Sequence, residues 1–250
     1  MDREEVRRIA EAEMPRVNLN VELGTYRHNV IDSLKGGQNV GIELGVAAGI
    51  FSSRMIESGK FEVFFGVDVY GDTHDTAQYK EALKRIGLLA PYKLLRMTFD
   101  EALDLFEDEF FDFIYVDGYA HTGEEGGQTL LSWYKKLKVG GVMAGDDYHS
   151  DWPLVQWAVN DFVKQLNVTL SVTEGSESVR YCKYPSWFFV KTEPPEGDLV
   201  PNQRLLDIGR MERQRVYEIR RGESENRFRR TLGRILNTLG IKSPWKSHRF

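Results

Sequence analysis

Short apolar runs that each end in an acid or a glycine alternate with helical stretches along most of this chain, and few folds accept that order. "NVGIELGV" (39–46), "FEVFFGVDVY" (61–70), "YKLLRM" (92–97), "FDFIYVDG" (111–118) and "KVGGVMAGDDY" (138–148) read as strands. "AAGIFSSRMIESG", "TAQYKEALKRIG", "FDEALDLFE", the segment from Thr122 to Leu137 and "WPLVQWAVNDFVKQL" read as helices. Two more strands fit within "TLSVTEGSESVRYCKYPSWFFVKT". Strands spaced by helices predict a mostly parallel sheet covered on both faces. The expected architecture is a doubly wound α/β fold with a seven-stranded sheet over 39–192. Helical extensions occupy 1–38 and 204–250, and the Pro-rich "EPPEGDLVPNQ" (193–203) serves as a linker.

A chain of 250 residues can bury one substantial core, which fits one main domain with trimmings. The single cysteine, Cys182, excludes a disulfide framework and reads as a packed strand residue, in keeping with a reducing cytoplasm. No apolar run reaches the ~18 residues of a membrane span. The N-terminal "MDREEVRRIAEAEM" lacks an apolar signal core, so a soluble cytoplasmic protein is expected.

The net charge of -5 hides an asymmetry. Residues 1–200 hold 20 basic against 33 acidic side chains, whereas 201–250 hold 13 against 5. In the tail, Phe228, Leu232, Ile235, Leu236 and Leu239 line one side of a helix and Arg227, Arg230 and Arg234 the other. That pattern suits an anionic membrane surface, nucleic acid or a partner chain, a homodimer among them, or docking on the chain's own body.

The first strand-to-helix turn, "ELGVAAG", sets Glu43, Gly45 and Gly49 where a ligand can approach the backbone. Its spacing is neither a dinucleotide fingerprint nor a phosphate loop, and an acid there would repel phosphate. Asp68, about 20 residues beyond the turn, stands where a carboxylate accepts from both hydroxyls of a ribose. An adenosyl compound without phosphates satisfies both demands. The "IELGVAAG" turn with "GVDVY" resembles the first and second motifs of the class I S-adenosylmethionine-dependent methyltransferases, a Rossmann-like fold. By that resemblance Glu43, Gly45 and Gly49 would surround the methionine part and Asp68 the ribose. Met97, Thr98 and Phe99 would border the adenine, and Asp117 would lie beside the cofactor.

Asp117 and the pair Asp146–Asp147 close two strands that are neighbours in this topology, so the three carboxylates should converge. Unpaired carboxylates in one place repel each other and resist desolvation, so a cation, a basic side chain or water must offset them. Three carboxylate oxygens with water and a substrate oxygen make an octahedral site for Mg2+ or Mn2+. The segments "YVDGYAHTGEE" and "LLSWYKKLKVGGVMAGDDYH" resemble the cation-dependent O-methyltransferases, and most closely the macrocin O-methyltransferase-like group. Many of those have V-D-G-x-H, whereas here His121 comes one residue later.

Methyl transfer is an in-line displacement that needs the acceptor oxygen held opposite the sulfur and made nucleophilic. A divalent cation serves both ends when it chelates vicinal oxygens, which favours a sugar diol, a catechol or a hydroxylated natural product. His149 ranks first as the base and His121 second. Tyr119, Tyr148, Trp152 and Trp157 are candidate walls of an acceptor pocket. Two other readings stay open: a nucleic-acid methyltransferase, although the acidic body argues against nucleic acid, and a non-catalytic module that keeps the fold.

Overall fold

A computed structural model describes residues 2–71, 74–88, 91–118, 123, 125–175, 180–195 and 197–238. The strands are β1 (Leu19–Glu22), β2 (Asn39–Leu44), β3 (Phe61–Val67), β4 (Tyr92–Leu95), β5 (Phe111–Val116), β6 (Leu137–Gly145), β7 (Leu170–Thr173) and β8 (Trp187–Val190). Helices α1 (Arg3–Glu13), α2 (Ile50–Glu57), α3 (Thr76–Ile86), α4 (Phe99–Leu103), α5 (Gln128–Tyr134), α6 (Pro153–Leu166) and α7 (Gln203–Thr238) fill the connections, with short 3-10 turns at Arg27–Ile31 and Arg180–Cys182. All strands join one sheet in the order β1-β7-β8-β6-β5-β2-β3-β4. Only β8 runs antiparallel to its neighbours.

Local chemistry sets the helix starts. Asp75 and Gln78 close a capping box on α3, and Thr98 and Glu101 do the same on α4. Pro153 opens α6, where its missing N–H costs nothing.

The two sheet faces bury different partners because strand side chains alternate. Ile42, Leu44, Ile114, Val116 and Met143 pack with α5, α6 and the first turns of α7. Phe113, Tyr115, Val142 and Ala144 face the other way, toward Phe51 and Met55 of α2 and Val30 and Ile31 of the first 3-10 turn. Strand order reverses between β3 and β5 on either side of β2, which opens the crevice at the carboxyl edge where such sheets bind ligands.

The sheet has eight strands rather than seven. β1 lies inside the expected helical N-terminal extension and pairs in parallel with β7 at the sheet's edge. It escaped notice because its four residues are mostly exposed, so no apolar alternation marks them. The helix expected from Thr122 starts later: Gly126 (φ 59°) and Gly127 (φ 89°) are left-handed, α5 begins at Gln128, and Leu137 already belongs to β6. Thr122 itself lies outside the described residues. Cys182 is buried as expected, but in a 3-10 turn.

The start of α7 docks on the body. Leu205 and Ile208 are buried, and Asn202 bonds both the Leu205 amide and Asp161. Among the described residues no helix is long and apolar enough to cross a membrane.

Candidate active site

Alternation along β5 and β6 explains how the acids meet. Asp117 is the next same-face step after Tyr115, and Asp146 the next after Ala144; Tyr115 and Ala144 are partners across the two strands. The Asp146 amide donates to the Val116 carbonyl (3.1 Å) and the Asp117 amide to that of Leu44 (2.8 Å), so both acids sit on the last rungs of the sheet. Asp147 would point to the opposite face, but its φ of 61° turns it back. A left-handed non-glycine residue is a strained conformation that clusters at functional sites. One oxygen from each of the three carboxylates lies within 4.8 Å of the others.

A guanidinium sits on this cluster. Arg27 donates through one terminal nitrogen to Asp146 Oδ2 at 2.6 Å and through the other to Asp117 Oδ2, and its side chain is only 10% exposed. Its charged carbon stands 5.1–5.2 Å from the ring centres of Phe51, Tyr115 and Tyr181, a cation–π seat. Arg27 Nε is buried without a hydrogen-bond partner among the described residues. The other oxygen of Asp146 accepts from Ser186 Oγ at 3.0 Å.

Burial raises the pKa of Asp146 even with Arg27 beside it. Burial, followed by the charges of Asp146 and Asp117, raises that of Asp147 further.

Asp68 is held differently. Its Oδ2 accepts from the amides of Val46 and Ala47, both at 3.0 Å, and bonds His74 Nδ1 at 2.6 Å, while Oδ1 accepts from the Tyr70 amide at 2.9 Å. Ala47 (φ 48°) and Tyr70 (φ 47°) are left-handed, so this carboxylate staples two strained residues in place. Burial works against its charge, but His74 and the amides prevail and its pKa is lowered.

The glycines of the turn answer first to the protein. A Cβ on Gly45 would lie 1.8 Å from the Asp117 carbonyl oxygen, so the turn can touch β5 only as glycine. Gly49 (φ 75°) caps α2, and a Cβ there would meet Ile86 of α3 at 2.5 Å. The turn and the acid cluster are therefore contiguous.

Glu43 does not join that open edge. It shares a sheet face with Tyr115, is 1% exposed, and accepts a hydrogen bond from Ser52 Oγ of α2, which in turn contacts the Tyr92 hydroxyl. Burial beneath the turn raises its pKa strongly, against the opposing pull of the Ser52 bond and the Arg27 charge. Thr98 caps α4, and Met97 and Phe99 are half-buried against the core, Phe99 next to Gly118.

His149 is exposed. Its Nδ1 accepts from the Asp151 amide at 3.1 Å and lies 3.6 Å from Asp151 Oδ2, and its ring packs on Tyr184. It lines a groove of about 610 Å³ together with Leu19, Val21, Gln156, Val172 and Glu174. His121 and Tyr119 lie outside the described residues. Trp157 is fully buried core, and Tyr148, although it borders the groove, spends its hydroxyl on Asn160 Oδ1 at 2.6 Å. Arg27, Ser186 and His74 carry no motif that sequence reading could have seized.

Residues 39–148 match the family model described as a methyltransferase domain. This stretch is thus similar to methyltransferase domains. Around it, 69% of the chain superposes on 60% of spermidine synthase from Thermotoga maritima at 18% identity with a TM-score of 0.51. The N-methyltransferase NodS of Bradyrhizobium japonicum WM9 gives 18% identity and a TM-score of 0.50 over 67% of this chain and 95% of that one. A Listeria monocytogenes structure described as an S-adenosylmethionine dependent methyltransferase is 16% identical over 48% of this chain and 50% of that one, with a TM-score of 0.38. The chain thus spans half of the Listeria protein and three fifths of the synthase. At such identities the likeness concerns the fold alone. No curated protein matches the chain in sequence.

Proposed function

We propose that the chain is an S-adenosylmethionine-dependent O-methyltransferase that acts on a hydroxyl of a small molecule and uses a divalent cation held by Asp117, Asp146 and Asp147. The observation that carries the reading is contiguity: Gly45 abuts the Asp117 backbone, so a methyl donor resting on the turn lies against the three acids. Two features fit the donor. The turn is open backbone rather than side chain, and the His74 bond to Asp68 is one that ribose hydroxyls can replace. Gly45, Gly49 and Asp68 would hold the methionine and ribose parts, and Met97, Thr98 and Phe99 would border the adenine. Glu43 acts from beneath, by fixing α2 through Ser52.

The all-carboxylate donor set fits a hard cation such as Mg2+. When bound, S-adenosylmethionine supplies an electrophilic methyl group with a neutral leaving group, and the cation lowers the pKa of a hydroxyl it touches. His149 is the base: its Nδ1 lone pair, which accepts from the Asp151 amide, has to be released from that bond before it takes the proton, and the Asp151 carboxylate, 3.6 Å away, then stabilises the positive ring. The groove beside His149 has apolar walls in Leu19, Val21 and Val172 and polar ones in Gln156 and Glu174. Such walls suit a hydroxylated ring: a sugar diol, a catechol or a related natural product.

Thermal stability of the full chain with S-adenosylmethionine, with and without Mg2+, tests the reading. Each ligand should raise the melting temperature, because ligands of the native state stabilise it by about 2.7 kcal/mol at a hundredfold excess over Kd. Mg2+ should have no effect on Asp146→Asn. No shift with either ligand would overturn the proposal.

A further inference from the structure

We propose that Arg27 is the resident counter-cation of the acid cluster and that a divalent cation binds by displacing it. This rests on the cation reading above, and it concerns a residue outside the stretch 39–148 that matches the family model. The argument starts from space. Arg27 holds Oδ2 of Asp117 and Oδ2 of Asp146, oxygens of two of the three acids a cation would take. A divalent cation needs its oxygens at roughly 2.0–2.6 Å. A guanidinium nitrogen 2.6 Å from the same oxygen competes with the ion for that oxygen's charge, and the two positive charges repel.

Charge favours the exchange. Arg27 ion-pairs with two of the three converging carboxylates, whereas a divalent ion can take an oxygen from each of the three. Arg27 also has few hydrogen bonds to give up. It is bound to the acids only through its terminal nitrogens, its Nε is unpartnered among the described residues, and its charge rests against three aromatic rings. Its backbone is a short 3-10 turn between the edge strand β1 and β2. Arg27 is thus a positioning residue: without the cation it keeps the acids together, and it yields them when the cation arrives.

The test is Mn2+ binding to the full chain, read as loss of the free-ion signal by electron paramagnetic resonance, for the wild type, Arg27→Lys and Arg27→Ala. Lysine keeps a charge but cannot bridge two carboxylates with a planar fork. The expected order of affinity is wild type weakest, then Lys, then Ala, with Ala at least about tenfold tighter. A tenfold gain corresponds to about 1.4 kcal/mol of removed competition. Adding Asp146→Asn to either variant should abolish the gain. If Arg27→Ala does not fold, the Lys variant against the wild type decides. Equal or weaker Mn2+ binding by the variants overturns the displacement while leaving the cation reading intact. Absence of Mn2+ binding in all three proteins overturns both.

Discussion

The carboxyl edge of the sheet holds acid in two places, and the two places hold it by opposite means. Asp68 is wrapped by three backbone amides and His74, all from residues 46–74, and its pKa falls. Asp117 and Asp146 lean on Arg27, which is 90 and 119 residues away from them, and Asp146 and Asp147 are pushed up. Amides suit an acid that must stay ionised to accept from hydroxyls. A cluster compensated by one guanidinium would suit the proposed exchange for another cation. The edge is therefore divided into a half whose acid is held by neighbouring backbone and a half whose acids are held by a charge from across the chain.

Asp146→Ala should strike hardest. Turnover with Mg2+ is expected to fall by about 10³-fold or more, since the cation's contribution is several kcal/mol. The affinity for S-adenosylmethionine, by calorimetry, should stay within about twofold. A loss of turnover that tracks cofactor affinity would mean that the two halves are one site.

His149→Ala comes next, with turnover reduced by about 10²-fold, the usual worth of a general base, and both Mn2+ and cofactor affinity kept. A smaller effect than that of His121→Ala would move the base to the preceding loop.

Asp68→Asn sharpens the comparison from the other half. Removing a charged acceptor costs about 1.5–3 kcal/mol of cofactor binding, or roughly 10–150-fold in Kd. Mn2+ affinity should be unchanged. If Mn2+ binding fell as well, the local and non-local halves would be coupled.

The smallest effect is on stability against pH. The folded-state pKa of Asp147 is raised, so the folded protein binds that proton more readily than the unfolded chain. Its contribution is present below the ordinary carboxylate range and is lost as pH rises to about 8. Melting curves of the cation-free protein over that window should therefore decline more for the wild type than for Asp147→Asn. Mg2+ should remove the difference. Parallel curves for the two proteins would show that Asp147 is not strained by its neighbours.

Much of this was legible in the residues. The strand–helix order, the neighbouring strands that bring Asp117 to Asp146, and the turn beside Asp68 all follow from local pattern and from the rules of doubly wound sheets. Other features were not. β1 is short and exposed, so nothing in "LNVE" marks it as the eighth strand. Strand alternation turns Glu43 toward α2, where Ser52 receives it, and no motif announces that bond. The docking of the start of α7 through Leu205, Ile208 and Asn202 likewise follows from no local pattern.

The sequence by itself determined that acids would crowd one edge of a sheet and that something must offset their charge. That follows because electrostatic cost depends on the kind of group and on strand order, both of which periodicity reveals. Only the tertiary structure decided what does the offsetting in the bare chain. Arg27 sits in a polar connection with no motif, and the 3-10 turn after β1 brings it onto β5 and β6. Contacts across 90 or more residues depend on how the chain crosses the sheet edge, which no local pattern encodes.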